Sequence, residues 1–213
     1  MYARLNESVD LLCSQIHPNG DIYPYVQLIE TLWKTDVSAD LDFQRTYRKY
    51  WRLNAARLGT QFVSAYFAYL EKLKRTDHIV LERVVQDLFR VPTHGDGRQA
   101  LQFSFASKML HMLRPRLPVY DSMVEAFFFL PFGRQSEKTE RKIERLLESY
   151  RFLTTEYGRV LQEGLLRPAI TIFRTRFRVG SNYTDEKIID TLIWKFVSFG
   201  RSGAIRDGAI RYR

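Results

Sequence analysis

The residues best suited to chemistry in this sequence are Lys108 and Asp121. Lys108 is the one lysine in a mostly apolar run over residues 99–113. Taken as a helix, this run has only a narrow polar stripe, formed by Ser104, Ser107, Lys108 and His111. A lysine in apolar surroundings has a lowered pKa and can act as a nucleophile, while a carboxylate can stabilise positive charge that develops at a nearby carbon. The two side chains therefore indicate a candidate active site.

The elements around this pair predict how it is positioned. Pro115 and Pro118 end the helix that carries Lys108, because proline lacks the amide proton and biases its predecessor away from the α region. Residues 119–121 then form a short extended segment, and Ser122 to Glu125 has the pattern of a capping box at the start of a very apolar helix. The lysine and the aspartate are thereby expected at neighbouring helix ends on a hydrophobic scaffold.

Apolar residues at helical spacing predict an all-α protein. Helices are expected over 2–16, 22–33, 41–74, 78–90, 136–163 and 185–199, with a break near residues 57–59, and one short strand is allowed over 170–178. The length of 213 residues predicts a single all-α domain over 1–213. It can alternatively be divided into two helical lobes, about 1–95 and 96–213, with the active-site cleft between them.

The charge is the strongest global clue to a partner. The chain has 33 lysines and arginines against 24 aspartates and glutamates, a formal net charge of +9, which favours a polyanion such as nucleic acid. The alternative is a basic protein that binds nothing specific. The single cysteine cannot form an internal disulfide, and no apolar run reaches the roughly 18 residues of a membrane span. We therefore expect a monomeric cytoplasmic protein without metal or cofactor that does not interact with membranes.

Two basic segments are candidates for contact with a nucleic-acid backbone. The first helix of the 41–74 region has a basic face, formed by Arg45, Arg48, Lys49 and Arg52. The aromatic residues of the same helix lie on an adjacent face: Tyr47, Tyr50 and Trp51. The second segment alternates basic residues with two phenylalanines, and its basic members are Arg174, Arg176 and Arg178.

Two stretches of the sequence resemble a known family. FSFASKML at residues 103–110, followed by LPVYDSMV at residues 117–124, resembles the signature of the helix-hairpin-helix DNA glycosylase superfamily, and it is most similar to bacterial 8-oxoguanine DNA glycosylase-like proteins. LIW at residues 192–194 resembles their closing helix. The resemblance implies a compact multi-helix glycosylase-like fold, in which a hairpin of pattern Gly-x-Gly-x-Lys-x-Ala contacts the DNA backbone.

The same resemblance implies roles for individual residues. Lys108 stands where bifunctional members have a nucleophilic lysine, and Asp121 stands where the family has an essential aspartate at a helix N-terminus. Ser104 and Ala106 replace the hairpin glycines, so the hairpin is expected to be altered, or absent if residues 98–113 form one helix. Aromatic side chains would hold the flipped base, and the candidates are Tyr120, Trp51, Tyr47 and Trp194. Backbone contacts would come from Ser104, Ala106 and the two basic segments.

The expected activity is excision of a modified base from double-stranded DNA by hydrolysis of its N-glycosidic bond, which leaves an abasic site. A Schiff base formed by Lys108 would add AP-lyase activity. The base would be oxidised or hypermodified, and in the second case excision from phage DNA would serve as antiviral defence. Two alternatives stay open: a non-catalytic DNA-binding helical module, and a structural or partner-binding helical protein.

Overall fold

A computed structural model of the protein describes residues 1–131, 133, 136–202, 205–206 and 209–210. Over these ranges the chain forms eleven α-helices, which confirms the predicted all-α class. They are α1 (Tyr2–Glu7), α2 (Val9–Ser14), α3 (Tyr23–Leu32), α4 (Leu41–Tyr50), α5 (Thr60–Leu73), α6 (Leu81–Phe89), α7 (Phe103–Leu113), α8 (Ser122–Phe127), α9 (Thr139–Gln162), α10 (Arg167–Phe177) and α11 (Asp185–Ser202). A π-helical turn spans Pro18–Ile22, a 3-10 turn spans Leu53–Ala56, and β1 (Ile205–Arg206) pairs with β2 (Ala209–Ile210) in antiparallel register.

The break predicted within residues 41–74 lies between α4 and α5. Arg52 and Arg57 flank the 3-10 turn there, and both have a left-handed backbone, with φ of 59° and 51°. A residue with a Cβ atom pays about 1–2 kcal/mol for this conformation, so the surrounding packing must hold both arginines in place.

Two predicted elements were wrong. Residues 2–16 form two helices that meet at Ser8, whose hydroxyl donates to the Arg4 carbonyl at 2.7 Å. The strand allowed over 170–178 is part of α10, which has a proline in its first turn, where proline is favoured. Phe173 and Phe177 are four residues apart and lie on one helical face, with ring centroids 4.8 Å apart.

Helix α7 lies at the centre of the hydrophobic core. Every residue of α7 except Ser104 is buried, and its neighbours include tyrosines from α3, α5 and α9. The Tyr66 hydroxyl of α5 donates to the Phe105 carbonyl at 2.9 Å, and the Tyr25 hydroxyl of α3 lies 2.9 Å from Nε2 of His111. The imidazole of His111 and the Phe105 carbonyl are thus hydrogen-bonded inside the protein.

The polar stripe of α7 binds the extended segment over residues 117–121. The Ser107 hydroxyl accepts from the Tyr120 N–H at 3.0 Å, and its single proton is shared between the Tyr120 carbonyl at 3.2 Å and the Ser104 carbonyl at 2.9 Å. Nδ1 of His111 lies 2.6 Å from the Leu117 carbonyl. These contacts hold the segment against α7 and so fix where α8 begins.

The glycine hairpin implied by the family resemblance is absent from residues 103–113. Ser104 and Ala106 both lie in the first turns of α7, and the Ala106 N–H donates to the Gln102 carbonyl at 3.0 Å. Ala106 is fully buried, so it cannot contact DNA. Serine and alanine resist the positive φ that a glycine hairpin uses, and their backbone continues into the helix instead.

The tautomer and pKa of His111 follow from its surroundings. Because a carbonyl only accepts, Nδ1 must carry the proton that it donates to Leu117, and Nε2 then accepts from the Tyr25 hydroxyl. Burial, together with the nearby charge of Lys187, lowers the pKa of His111 to about 3. The imidazole is therefore neutral at physiological pH and acts as a structural connector.

We expect this buried histidine to make the protein less stable in mild acid. Since the pKa is lower in the folded protein than in the unfolded chain, the unfolded chain binds more protons as the pH falls below about 6.5, and stability is lost progressively toward pH 3. Between pH 7 and pH 5 this amounts to about 2 kcal/mol of unfolding free energy. Urea unfolding should show that His111→Gln lacks this part of the pH dependence.

His78 supplies the control, because its side chain is exposed. His78→Gln should unfold with the same pH dependence as the unmodified protein. A His111→Gln variant whose stability falls between pH 7 and pH 5 as much as that of the unmodified protein would contradict the assignment.

Candidate active site

A cavity of about 560 Å³ lies where the π-helical turn, the start of α3, the end of α4, α7, the start of α8 and α11 meet. Lys108 and Asp121 both line it, together with a second lysine and aspartate, Lys187 and Asp190 of α11. Two tryptophans contribute to the wall, Trp51 and Trp194. The cavity therefore brings together the two residues that the sequence singled out, along with a charged pair that it did not.

Lys108 is a buried amine with little polar support. Its side chain extends from α7 so that Nζ donates to the Trp51 carbonyl at 3.4 Å and lies 5.2 Å from the centroid of the Phe105 ring. No carboxylate in the described ranges lies within 4 Å of it. Burial lowers the pKa of Lys108, although the charges of Asp121 and Asp190 act in the opposite direction.

Asp121 is the N-cap residue of α8. Its Oδ1 accepts from the Met123 N–H at 2.9 Å and from the Val124 N–H at 3.1 Å, which is the usual capping geometry. The predicted capping box of Ser122 and Glu125 is wrong, because the helix begins one residue earlier and Glu125 accepts from the Tyr120 hydroxyl instead. The half-buried Asp121 thus faces the cavity with one oxygen held by backbone amides.

Lys187 and Asp190 form a buried ion pair on one turn of α11. Their Nζ and Oδ2 atoms are 2.6 Å apart, and both side chains are less than 10% exposed. The ammonium also lies 4.8 Å from the centroid of the Trp51 ring. Burial disfavours the charged form of Lys187, but the Asp190 carboxylate together with Tyr183 and Tyr25 outweighs it, so the pKa of Lys187 is raised. The signal in the sequence was a lysine and an aspartate three residues apart, separated by two isoleucines and followed by LIW at 192–194.

The four predicted base-binding aromatics separate into two groups. Trp51 and the half-buried Trp194 line the cavity, and the Arg52 guanidinium lies 4.8 Å from the Trp194 ring centroid. Tyr47 is fully buried, with its hydroxyl 2.7 Å from that of Tyr66, so it belongs to the core. Tyr120 lines a separate cavity of about 400 Å³. Tyr47 is therefore closed off from any ligand, and Tyr120 lies away from the cavity of Lys108, so its contact with a base stays a prediction.

The basic face of α4 is only partly directed at the cavity. Arg45, Lys49 and Arg52 line the mouth, where Lys195 of α11 joins them. Arg48 does not line the cavity, and its Nε is buried without a hydrogen-bond partner among the described residues. Of the predicted face, three of the four positions therefore surround the opening.

The second basic segment has structural partners and lies outside the cavity lining. Arg174 pairs with Asp185 at 2.6 Å and donates to the Tyr183 carbonyl, which attaches α10 to the start of α11. Arg176 lies 3.9 Å from Asp10, and Arg178 ends α10 in a left-handed conformation with φ of 51°. Ser104 lines the smaller cavity beside Tyr120. None of these residues is brought to Lys108.

Comparison of the chain with protein-family models, with curated proteins and with solved structures finds no significant match. Among the described residues, no helix is both long enough and apolar enough to cross a membrane. The same residues contain no group of three or more histidine, cysteine, aspartate or glutamate side chains arranged to hold a metal ion.

The capping role of Asp121 gives a stability prediction. Asp121→Ala should lower the unfolding free energy by about 1 kcal/mol, because two N–H groups of α8 lose their acceptor. Asp121→Asn should stay within about 0.5 kcal/mol of the unmodified protein, since asparagine is an equally good N-cap. Urea unfolding at pH 7 measures both. An asparagine variant as unstable as the alanine variant would show that the negative charge itself holds α8 in place.

Proposed function

We propose that the protein is a DNA N-glycosylase that takes a flipped-out modified base into the cavity and cleaves its N-glycosidic bond. The observation that supports this proposal is that Lys108 and Asp121 line the same cavity as Trp51 and Trp194. An amine, a carboxylate and aromatic walls are the groups that such a reaction needs. The proposal includes a glycosylase-like fold, but one without a glycine hairpin before the lysine.

The cavity has the size and the walls for a flipped nucleotide. Pockets of about 300–1,000 Å³ accommodate small organic ligands, and this one measures about 560 Å³, which leaves room for a base with an added substituent. Extruding a base from the duplex costs a few kcal/mol, and stacking against an aromatic ring returns about 1–3 kcal/mol per base. Trp51 and Trp194 supply those rings.

Asp121 and Lys108 divide the chemistry between them. As the C1′–N bond breaks, its electron pair goes to the base and positive charge develops on the sugar, which the Asp121 carboxylate stabilises. In its deprotonated form, the Lys108 amine donates its lone pair to C1′, and one of its two protons is transferred to the departing base. Opening of the sugar ring, with a proton added to the ring oxygen, then gives the Schiff base of a lyase reaction. Water in place of the amine would give simple hydrolysis.

The rim of the cavity supports binding of the DNA strand. Arg52 and Lys49 are exposed at the mouth, and neither forms an ion pair with a described residue. Arg45 is exposed as well, and its contact with Asp42 on the surface is weak enough to be exchanged for a phosphate. Phosphates on either side of the flipped nucleotide would meet these side chains.

The decisive experiment is a measurement of abasic-site formation. The protein is incubated with duplexes that carry oxidised, alkylated or glucosylated bases, aldehyde labelling counts the sites, and borohydride traps any lysine adduct. We expect sites from the unmodified protein and at least a hundredfold fewer from Asp121→Asn, in keeping with the roughly 10²–10³-fold loss typical of removing an electrostatic stabiliser. Lys108→Met should abolish the trapped adduct.

Two matched variants control this experiment. Asp40→Asn removes a charge from the N-cap of α4, which has the same two capping hydrogen bonds but lies outside the cavity. Lys34→Met removes an exposed lysine that lies outside the cavity lining. Both should stay active. Salt-dependent DNA binding without sites on any substrate would reject the proposal and favour a non-catalytic DNA-binding module.

A separate prediction concerns the rim. Arg52→Gln and Lys49→Gln should each weaken DNA binding and reduce the slope of log affinity against log salt by about one, because each side chain contacts one phosphate. Fluorescence anisotropy over a salt series measures both quantities. Arg151→Gln, which changes an exposed arginine of α9 outside the cavity, should leave the slope unchanged. Equal effects from all three variants would mean that binding follows net charge and not this rim.

A further inference from the structure

The cavity contains two buried lysines in different electrostatic states. Lys187 is bonded to Asp190 at 2.6 Å, whereas Lys108 has only a 3.4 Å bond to a neutral carbonyl. The two Nζ atoms lie over the same Trp51 ring, 4.8 Å and 5.9 Å from its centroid. An ammonium without a counter-ion is costly in such a place, so a buried unpaired lysine tends to lose its proton.

We propose that Lys187 is a positioning residue for Lys108, because by occupying the Asp190 carboxylate it leaves Lys108 without an anionic partner and with its lone pair available. The consequence for catalysis rests on the proposed glycosylase function. The effect on the ionisation state of Lys108 does not depend on that function, and it can be measured in the absence of DNA.

Four charged groups act on Lys108, and their contacts agree with this role. Asp121 and Asp190 favour a charged Lys108, and Lys187 and Arg52 oppose it. Asp121 is already held by two N–H groups at the positive end of α8, and Asp190 by Lys187. Both carboxylates are therefore engaged elsewhere. Without Lys187, Asp190 would become a free anion in the wall of the same cavity.

Removing the Lys187 charge should therefore transfer its role to Lys108. In Lys187→Met, the unpaired Asp190 carboxylate would favour a proton on Lys108, and the resulting ammonium has no lone pair to donate to C1′. If the ion pair serves stability alone, the ionisation of Lys108 would not change. A second substitution distinguishes control of Lys108 ionisation from a role in stability alone. Asp190→Asn removes the carboxylate that Lys187→Met leaves unpaired.

The test is a lysine titration followed by NMR. Protein labelled with ¹³C at lysine Cε is titrated, and the Lys108 signal is identified by its loss in Lys108→Arg. We expect Lys187→Met to raise the titration midpoint of Lys108 by one pH unit or more, which lowers its neutral fraction about tenfold at pH values below the original midpoint. Lys187→Met combined with Asp190→Asn should restore the midpoint, and Lys34→Met, which removes an exposed lysine outside the cavity lining, should leave it unchanged.

An unchanged midpoint in Lys187→Met, or an equally raised midpoint in the double variant, would overturn the proposal. If breaking the pair prevents Lys187→Met from folding, Lys187→Gln replaces it, since the amide still donates to Asp190 while removing the charge. The double variant removes both partners and avoids a buried unpaired charge.

The titration also separates this proposal from the glycosylase proposal. A raised midpoint in a protein that forms no abasic sites would support the role of Lys187 and reject the glycosylase. Formation of abasic sites with an unchanged Lys108 midpoint in Lys187→Met would support the glycosylase and reject the role of Lys187. In an active protein that traps an adduct, Lys187→Met should shift the pH dependence of the adduct yield upward by about one pH unit.

Discussion

The relation between Lys108 and Asp121 depends on how the segment over 117–121 is held to α7. This segment has a proline at 118 and pairs with no strand, so its carbonyl groups need hydrogen-bond donors from other parts of the protein. Three side chains supply them: His111 at the Leu117 carbonyl, Tyr150 at the Pro118 carbonyl and Ser107 at the Tyr120 carbonyl. The polar stripe of α7 thus helps to fix the position of this segment inside the protein. It sets the residue at which α8 begins, and therefore where the capping carboxylate faces the cavity.

The cavity also imposes a cost that the rest of the core must offset. Burying the Lys108 amine without a counter-ion lowers the stability of the fold. The attraction between Lys187 and Asp190 roughly balances the cost of removing both charges from water, so this pair contributes little to stability. Such groups persist where a site needs them, and a packed core of tyrosine and phenylalanine rings supplies the compensating burial. Lys187 lies over the faces of three aromatic rings, which favours its charged form as well.

Helical periodicity was enough to predict the class and most helices, since apolar faces repeat every three to four residues. The Lys108–Asp121 pair was predictable because one lysine interrupts an apolar helix and a proline break follows. The direction of individual side chains was not predicted from the sequence. Tyr120 and Asp121 are neighbours in an extended segment, where successive side chains point to opposite sides, and they therefore line different cavities. Lys187 and Asp190 lie far along the chain, and only the packing of α11 brings them to Lys108.

The missing hairpin changes how a nucleic acid would be held under the proposed function. The amide of Ala106 is used inside α7, so phosphate contacts near the lysine must come from side chains at the rim. Arg52 is suited to this, because it is exposed, has a left-handed backbone and places its guanidinium over Trp194. Strain of this kind is found where a side chain must occupy one position. The arginine would then lie between a phosphate and Trp194, and so connect strand binding to base binding.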